Sequence, residues 1–490
     1  MQVRPSFTEF EHMAEQGNLI LLQYEFPAHT ETPVSAYLKL TNSSSFSFLL
    51  ESAKFPRSWG RYSLIGCDPH VLVFIYDGGV EVWKGVQKTR VKAPDPLTPL
   101  KDMVRETKPV AAINDLPFDG GLVGYLNYDL VRKWERLTGL VPPDPVLPEG
   151  VFMAPQRLVV FDHLRHQVRI MALVYLREGM SLKKQYDLAC QSIEKTLAEL
   201  QCPLNPSANE GIEISPFVSN MEKWEFEASV ARIREYITAG DVIQVVLSQR
   251  FCADISGDVF GIYRRLRDLN HSPYMFFLNF GQTKLIGASP EVLARLTKRN
   301  IELCPIAGTR PRGTTVEEDK ALEQELLRDT KERAEHVMLV DLGRNDVGKV
   351  AVPGSVRVTK FMKVERYSHV MHMVSEVQGM LRPGKDCFDL FRSAFPAGTV
   401  TGAPKVRAME IINELELQPR GSYAGAVGYF AFNGDMDFCI TIRTIIITND
   451  MASIQVGAGI VYDSLPEREY EETLRKAEAM FKAIDEAKVR

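Results

Sequence analysis

The dipeptide Asn433-Gly434 is the local feature that most constrains how this chain can fold. Asn-Gly is strongly preferred in two-residue β-hairpin turns, because both central residues of such a turn adopt positive φ. Here it lies between two runs rich in β-branched and aromatic residues, Tyr429–Phe432 and Phe438–Ile447. Strands joined by a tight turn pair antiparallel, whereas parallel strands need a long crossover. The turn therefore predicts antiparallel sheet and not a doubly wound parallel one.

Other β-rich runs alternate with helical stretches along the chain. The strand candidates are short and bounded by turn residues. They are Val34–Leu40, Phe46–Leu50, Tyr62–Gly66, Val71–Tyr76, Leu158–Asp162, Val168–Val174, Asp241–Phe251, Met275–Asn279 and Lys284–Gly287. The helix candidates show apolar residues at helical spacing. They are Ser181–Leu200, Glu222–Ala239, Glu317–Leu342 and Pro466–Ala487. Hairpins mixed with helices in this way predict an α+β fold.

Composition excludes several classes of function. Of the 490 residues, 45% are apolar and 25% are charged, as in ordinary globular proteins. A net charge of −5 argues against nucleic acid as a partner, because phosphate binding needs a basic surface. No apolar run is long enough for a membrane-spanning helix. The seven cysteines have no paired spacing and no signal peptide is recognised, so we expect a reduced, cytoplasmic protein.

One segment separates the chain into two parts. Leu204–Val218 is rich in Pro, Asn, Ser and Gly and lacks hydrophobic periodicity, which is typical of a linker. We therefore expect an N-terminal region at 1–205, a linker at 206–217 and a second domain at 218–490.

Two helices of the second domain carry carboxylates at positions i and i+3. Glu332 and Glu335 share one face of the first, and Glu469 and Glu472 share one face of the second. Faces rich in glutamate are usually solvated, and either pair alone favours that interpretation. Glu335, however, precedes the apolar run Val337–Val340, so its turn enters the core. Carboxylates from two helices, completed by substrate oxygens, suit Mg²⁺, and the sequence predicts a magnesium site here.

Three further segments could bind an anion. Cys304–Gly313 places a glycine and a hydroxyl beside two arginines, which suits a loop around a small anion. The Gly-Ala-Gly of residues 457–459 follows a strand, and is either an anion-binding nest of N–H groups or a simple turn. Arg443 lies in an apolar strand and needs an acceptor, which is either an internal carboxylate or a ligand. Tyr423 could add a hydroxyl donor nearby.

Two titratable residues lie close to these segments. Glu291 is predicted at the start of a helix, where it either complements the helix dipole or, in an apolar pocket, acts as a general acid. His372 alternates with apolar residues, a pattern found more often for a buried structural histidine than for a catalytic one. From the residues alone, the chain is interpreted as a metal-dependent enzyme acting on a small polycarboxylate.

Six motifs in a fixed order give the chain a specific resemblance. They are PIAGTRPRG (305–313), ERAEHVMLVDLGRNDVG (332–348), FPAGTVTGAPK (395–405), GSYAGAVGY (421–429), TIRT (441–444) and VGAGIVYDS (456–464). With them, the chain closely resembles the chorismate-utilising enzymes, and within that family the branch that forms anthranilate. The resemblance implies large antiparallel sheets packed as a sandwich with surrounding helices.

The resemblance implies magnesium as the cofactor. Glu335 and Glu472 would bind the ion directly, and Glu332 and Glu469 would lie alongside. The ion would hold the ring carboxylate of chorismate. The residues implied in binding the rest of the substrate are Gly308, Thr309, Tyr423, Arg443, Gly457, Ala458 and Gly459.

Three residues are implied in the chemistry itself. Glu291 would protonate the departing C4 hydroxyl, His372 would assist the later loss of pyruvate, and Thr399 would lie close to the substrate. Two other positions indicate the nucleophile. Gln244 stands where relatives that add water carry a lysine base, and Ala307 stands where aminodeoxychorismate synthases typically carry a nucleophilic lysine. Both favour addition of ammonia at C2, followed by aromatisation with release of pyruvate.

The resemblance extends to regulation and to partners. A tryptophan site for feedback inhibition is implied at Ser52, Pro273, Tyr274 and Met275. His271 stands in that element where proline is usual. The sequence has no cysteine elbow of a glutamine-hydrolysing module, so we expect a separate glutamine amidotransferase subunit to supply ammonia in a hetero-oligomer.

Other functions stay open at this point. One is an aminodeoxychorismate-forming subunit or a salicylate-pathway relative, which Ala307 and Gln244 disfavour. Another is a catalytically silent tryptophan-sensing subunit, which the four glutamates disfavour, together with Glu291 and His372.

Overall fold

The computed structural model describes residues 2–41, 44–52, 58–110, 116, 118–138, 147–204, 211–366 and 370–488. The helices in these ranges are α1 Phe7–Ala14, α2 Pro33–Thr41, α3 Leu97–Glu106, α4 Leu182–Gln201, α5 Lys223–Ala239, α6 Phe260–Leu269, α7 Val316–Arg328, α8 Thr330–Gly348, α9 Cys387–Ala394, α10 Lys405–Leu415 and α11 Pro466–Ala487. Short 3-10 turns occur at Ser58–Arg61, Tyr128–Lys133 and Gly398–Val400.

Strands make up most of the remaining structure. The first half contributes β1 Leu19–Pro27, β2 Phe46–Glu51, β3 Tyr62–Tyr76, β4 Gly79–Lys84, β5 Gln87–Val91, β6 Pro109–Val110, β7 Gly121–Leu126, β8 Gly150–Asp162 and β9 Gln167–Tyr175. The second half begins with β10 Ile212–Ile214, β11 Val218–Ser219, β12 Gln244–Gly257, β13 Tyr274–Phe280, β14 Thr283–Ser289, β15 Val292–Thr297, β16 Asn300–Leu303 and β17 Ile306–Pro311. It continues with β18 Arg357–Arg366, β19 Val370–Met380, β20 Gly402–Ala403, β21 Ala426–Ala431, β22 Met436–Ile440, β23 Thr444–Thr448 and β24 Met451–Ile460.

The strands form two sheets that share β3 and β8. The first sheet runs β6–β1–β9–β8–β3–β2–β13–β14–β23–β24–β12. The second runs β5–β4–β3–β8–β7–β21–β22–β15–β16–β19–β18, with β17 beside β16 on β19. All these pairings are antiparallel apart from β1 with β6. This arrangement confirms the predicted α+β class.

The sheets pack on each other and are covered by helices. Between them, the rings of Tyr125 and Phe280 lie 6.0 Å apart. On the first sheet, neighbouring residues alternate in direction, since side chains in a strand point to opposite faces. Phe276 thus joins the largest apolar cluster, and Phe277 packs with α1, α2, α4, α6 and α11 on the other face. Both faces of the sheet are therefore buried.

Strands from both halves of the chain lie side by side in each sheet. In the first sheet Leu50 of β2 pairs with Phe276 of β13, and in the second Tyr125 of β7 pairs with Val427 of β21. Of the predicted linker 206–217, residues 206–210 lie outside the described part of the chain. Ile212–Ile214, at its end, is a strand that pairs with β12.

Two local predictions are wrong. Val34–Leu40 is not a strand but most of α2, whose first residue is Pro33 and whose start is stabilised by reciprocal hydrogen bonds between Thr32 and Ser35. Glu317–Leu342 is not one helix, because Asp329 ends α7 and caps α8 by accepting from the N–H groups of Lys331 and Glu332.

Three helices match their predicted ranges closely, among them α5, which begins one residue after the predicted start. Two predicted strands merge. The structure confirms α11 at Pro466–Ala487, with proline at its first position, and α4 with Ser181 as its cap. Tyr62–Gly66 and Val71–Tyr76 are parts of the single strand β3, whose register shifts between Pro69 and Val71. None of the helices in the described ranges combines the length and the apolar character needed to cross a bilayer.

Candidate active site

The predicted site residues gather in a cleft between α8 and α11. On one side of the cleft, α8 packs on β17 and β19 of the second sheet. On the other side, α11 packs on β24 of the first sheet. The chain passes from one sheet to the other twice near this cleft, at Pro290-Glu291 between β14 and β15 and at 441–443 between β22 and β23. The cleft therefore lies where the two sheets meet.

Three of the predicted metal-binding glutamates influence one another across the cleft. Glu335 on α8 accepts a hydrogen bond from Gln244 Nε2 at 3.1 Å. Burial raises the pKa of Glu335, and the charges of Glu332 and Glu472 raise it further. Because Glu472 belongs to α11, this coupling places the carboxylates of both helices around one space.

Two lysines offset part of this negative charge. Lys476 Nζ lies 2.7 Å from Glu472 Oε1 and donates to the Gly457 carbonyl at 2.8 Å. Burial opposes ionisation of Glu472, but Lys476 and other cations hold its pKa below the ordinary value. Burial raises the pKa of Glu469, and Lys331 lies close enough to both α11 carboxylates to favour their charged forms. The carboxylates of the two helices are therefore only partly neutralised by these two lysines.

This donor set fits a divalent cation bound by two direct ligands. Hard oxygen ligands with several waters are what Mg²⁺ prefers. Within the described ranges, one group of three potential metal-binding side chains has its ligand atoms within 4.8 Å of one another. It consists of Glu302 in β16, Cys304 just after β16, and Glu376 in β19. The four glutamates of the cleft are more widely spread, which leaves room for water and for substrate oxygens between them.

Gly308 brings β17 close to α8. Its φ is +69°, and a Cβ there would lie 2.9 Å from Leu326 and 3.1 Å from Glu332 Oε2, so only glycine fits. The bulge at this point turns the next residue toward β19, and Thr309 Oγ1 lies 2.9 Å from His372 Nδ1. The same nitrogen lies 3.3 Å from the Gly308 carbonyl. Burial lowers the pKa of His372 to about 4, aided by Arg443, so its ring is neutral at pH 7.

Arg443 is a partly buried cation at the second crossing between the sheets. It is not inside a strand, as predicted, but in the break between β22 and β23, at a φ of +52°. This left-handed conformation is costly for a non-glycine residue and directs the side chain into the cleft region. Its Nη1 donates to the Lys476 carbonyl at 2.5 Å, and no ion pair joins it to an acid in the described ranges. Burial lowers the pKa of Arg443, and Tyr423 and Glu472 oppose that shift.

Residues 457–459 lie within β24, so the predicted strand-to-loop turn is wrong. Each pairs with β12, with Gly457 opposite Ser248. The Gly457 carbonyl accepts from Lys476, which shows that its polar groups point away from β12, and in a strand those of Gly459 point the same way. A Cβ on Gly457 would lie 2.6 Å from the Tyr423 hydroxyl, so glycine allows that ring to approach.

Glu291 lies between two strands and not at a helix start, which corrects the prediction. Its backbone carbonyl accepts from the Ile440 N–H at 3.0 Å, which ties it to β22. The side chain is buried among apolar residues, and burial raises the pKa of Glu291 to about 8. Thr399 favours the charged form but does not reach hydrogen-bonding geometry, and its hydroxyl is a buried oxygen without a partner in the described ranges. Glu291 is therefore a protonated acid at neutral pH.

The sequence was compared with models of known protein families. The model of the chorismate binding enzyme family matches residues 74–482. The chain belongs to this family. The match covers far more than half of the chain and includes every residue of the cleft described above, which confirms the resemblance inferred from the six motifs.

Individual relatives in the family match along almost the whole chain. Anthranilate synthase component 1 of Acetivibrio thermocellus is 46% identical, covering 99% of both chains. The protein of the same name from Aquifex aeolicus is also 46% identical, covering 99% of this chain and 98% of that one. The name component 1 implies a second component for those proteins.

Solved structures of the family share the fold. The crystal structure of anthranilate synthase component I from Streptococcus pneumoniae superposes with a TM-score of 0.78 at 36% identity, covering 93% of this chain and 98% of that one. The menaquinone-specific isochorismate synthase MenF of Escherichia coli reaches 0.72 at 18% identity, covering 97% and 99%, and supports the fold alone. The sandwich expected for the chorismate-binding family is confirmed.

One motif of this family does not form the predicted anion loop. Residues 306–311 form β17, and both arginines of the motif are engaged by acids of α7 and α8. Arg310 forms ion pairs with Glu325, Asp329 and Glu332, and Arg312 pairs with Asp319 at 2.6 Å. These arginines shape the α8 side of the cleft and are not available to an anion.

Sequence reasoning missed the lysines of the cleft. Lys476 follows Glu472 by one helical turn, and this i,i+4 spacing was a usable signal. Lys331 had no such signal, because its proximity to α11 depends on the fold.

The four residues predicted to bind an effector line one large pocket of this chorismate-binding enzyme. Its volume is about 730 Å³, and Ser52, Pro273, Tyr274 and Met275 all face it. The pocket lies between β13 of the first sheet and β15, β21 and β22 of the second. The Tyr274 hydroxyl donates to Asp437 at 2.7 Å. Ser52 Oγ is buried without a partner in the described ranges, so it can bond to an occupant.

Proposed function

We propose that this chain is component 1 of an anthranilate synthase, which converts chorismate and ammonia into anthranilate, pyruvate and water. The observation that carries the proposal is the partly buried Arg443, which forms no ion pair with an acid in the described ranges and lies beside α11, near the cluster of four glutamates on α8 and α11. A buried guanidinium needs a carboxylate, and a cluster of glutamates needs a cation. A substrate with two carboxylates, one bound through a metal and one bound to arginine, satisfies both requirements, and chorismate is such a compound.

The two carboxylates of the substrate are assigned to two different cationic groups of the cleft. Glu335 and Glu472 would hold magnesium, with Glu332 and Glu469 alongside. When bound, the ion supplies positive charge that neutralises the ring carboxylate. Arg443 binds the enolpyruvyl carboxylate as its missing counter-ion.

Neutral groups of the chain complete the substrate site. Tyr423 donates its hydroxyl to the enolpyruvyl carboxylate. The N–H groups of Gly457 and Gly459, which point away from β12, add donors beside it, with Ala458 between them. Gly308 and Thr309 on β17 lie along the ring from the α8 side.

Glu291 and His372 are placed to move protons in two successive steps. Glu291 is protonated at neutral pH, so it can give its proton to the C4 hydroxyl, which leaves as water. Thr399 lies beside Glu291, and its hydroxyl has no hydrogen-bond partner in the described ranges. It can therefore bond to the C4 end of the substrate. His372 is neutral and is fixed through Nδ1 by Thr309 and Gly308, so it can accept a proton as pyruvate leaves and the ring becomes aromatic.

Gln244 suits ammonia as the nucleophile. Its Nε2 donates to Glu335, which fixes the amide and leaves Oε1 as a buried acceptor without a partner in the described ranges. Ammonia carries N–H donors that can satisfy this oxygen. Ammonia is also a competent nucleophile when neutral, so it needs no lysine base at this position.

The function is tested by identifying the product of the purified chain. With chorismate, Mg²⁺ and a high concentration of ammonium, we expect a fluorescent product with the mass of anthranilate, together with pyruvate. With glutamine in place of ammonium we expect none, because a separate amidotransferase subunit is proposed to release the ammonia. Isochorismate, aminodeoxychorismate or salicylate as the main product, or turnover of glutamine by this chain alone, would contradict the proposal.

We also propose that the pocket between the sheets binds tryptophan and inhibits the reaction. Its size, its Met275 and Tyr274 side chains and the unpaired Ser52 hydroxyl suit an aromatic amino acid. L-Tryptophan is expected to lower anthranilate formation and to raise the melting temperature, since a ligand of the folded state stabilises it. D-Tryptophan is the matched control. Ser52→Ala should weaken both effects and leave chorismate turnover unchanged, and an unaltered melting temperature with L-tryptophan would refute this assignment.

A further inference from the structure

A small cavity adjoins the general acid Glu291 on the α8 side of the second sheet. Its volume is about 40 Å³. A buried water needs roughly 10–15 Å³ of such space, so the cavity can hold two or three waters. Most of its lining is apolar, but Glu291, Thr399 and Asp346 also face it. The Thr399 hydroxyl, which has no hydrogen-bond partner within the described ranges, can bond to a water in this space.

Asp346 connects the far end of this cavity to charged groups. It is on α8 and only 4% exposed, yet its carboxylate binds two lysines. Oδ2 lies 2.8 Å from Lys405 Nζ, and Oδ1 lies 3.1 Å from Lys349 Nζ. Lys405 is mostly buried and is also influenced by Glu135, whereas the Lys349 side chain is half exposed. Asp346 therefore lies between the cavity and a lysine that reaches solvent.

The proposed reaction creates a need for such a connection. Glu291 loses one proton each time the C4 hydroxyl leaves as water, and it must regain that proton before the next turnover. In the proposed function the substrate lies against Glu291, and the cavity beside Glu291 is lined mostly by apolar residues. A route that does not cross the substrate would allow Glu291 to recover while product is still bound.

We propose that Asp346 relays protons from solvent to Glu291 through water in this cavity. A lysine ammonium gives a proton to an Asp346 oxygen, Asp346 passes a proton to the cavity water, and the water passes one to the Glu291 carboxylate. The lysine then regains a proton from solvent, so one proton moves inward per turnover and balances the proton that the added ammonia loses to solvent. Asp346 and the lysine keep their original charges, and Glu291 returns to its neutral form. The proposal rests on the proposed function, and Asp346 acts only through Glu291.

Asp346→Asn tests the relay in the full-length enzyme. Asparagine keeps the size and can still accept from a lysine, but it cannot carry a proton. We expect kcat for anthranilate formation to fall by about 10- to 100-fold, the KM for chorismate to stay within about twofold, and the solvent deuterium isotope effect on kcat to increase. A residue that merely ties α8 to α10 would change the melting temperature and not the isotope effect.

Gly343→Ala provides a second test that does not depend on Asp346. A Cβ on Gly343 would lie 3.5 Å from Pro305 and 3.7 Å from Val377, so it fits while taking space from the cavity that Gly343 lines. Alanine favours a helix interior over glycine, so the melting temperature should rise while kcat falls severalfold. The matched control is Gly348→Ala on the same helix, where a Cβ meets nothing within 4 Å. It should raise the melting temperature and leave kcat unchanged.

The outcomes separate the relay from the proposed function. If wild-type protein forms no anthranilate, the proposed function is wrong and the relay falls with it. If the wild type is active and Asp346→Asn keeps both its kcat and its isotope effect, only the relay is wrong. A kcat that is unchanged in Gly343→Ala would likewise overturn it.

Discussion

Glu335→Gln is expected to reduce anthranilate formation by about 10³-fold or more while the protein keeps its fold. A bound cation supplies several kcal/mol of charge stabilisation, and losing about 4 kcal/mol slows a reaction by about three orders of magnitude. Glu335 is the carboxylate that feels the charges of both Glu332 and Glu472, so it lies centrally among the proposed ligands. Glutamine keeps the shape and can still bond to Gln244 but lacks the negative charge.

The readout for this variant includes the metal as well as the rate. Titration calorimetry with Mg²⁺ alone should give a clear binding signal for the wild type and a much weaker one for Glu335→Gln. The matched control is Asp341→Asn, an exposed carboxylate on the same helix whose partner is Arg344. It should bind Mg²⁺ and turn over chorismate like the wild type. Normal metal affinity in Glu335→Gln would remove Glu335 from the proposed ligands.

Glu291→Gln is expected to lower kcat by about 10²- to 10⁴-fold, the range that a general acid contributes. The KM for chorismate should change little, because glutamine has nearly the same size and polarity as the protonated acid. In the wild type, kcat/KM should fall as the pH rises through about 8, where Glu291 loses its proton in the free enzyme. The residual activity of the variant should lack this step. An unchanged pH profile in Glu291→Gln would exclude Glu291 as the acid.

The same substitution should alter how stability depends on pH. Burial raises the pKa of Glu291 from 4.5 to about 8, so the folded protein holds this proton more tightly than the unfolded chain. The contribution is fully present below pH 4.5 and is lost as the pH rises to about 8, up to about 5 kcal/mol in all. Urea denaturation at both ends of this window should show a smaller loss for Glu291→Gln than for the wild type.

Local signals in the sequence were sufficient for several helices and for the hairpin, but not for α2 or for the break between α7 and α8. The predicted hairpin at Asn433-Gly434 does join β21 and β22, but residues 432–435 form the connection in place of a two-residue turn, and of the dipeptide it is Gly434, at a φ of +90°, that has positive φ. The helix at Pro466–Ala487 has its predicted bounds because proline and periodicity act within a few residues. Val34–Leu40 was mistaken for a strand because short apolar runs suit both structures, and the deciding proline and cap precede the run.

The two sheet crossings were beyond the reach of local patterns. Arg443 lies in a run that looks like one continuous strand because both flanks are apolar, and Glu291 was predicted at the start of a helix. Each break occurs because the segments on its two sides pair in different sheets. β14 pairs with β23 in the first sheet, whereas β15 pairs with β22 in the second. The carboxylate pairs on α8 and α11 could be found from their spacing alone. Their meeting across one cleft, and the lysines beside them, depend on contacts between distant segments.

The mixing of early and late strands in both sheets has a consequence for how the protein is made. During synthesis, β2 cannot pair with β13 until β13 has been made, and β7 cannot pair with β21 until most of the second half has been made. Until then, exposed strand edges of the nascent chain can associate with other chains. The two halves expressed as separate polypeptides are therefore expected to aggregate unless they are produced together, which light scattering of each half alone and of the mixture would show.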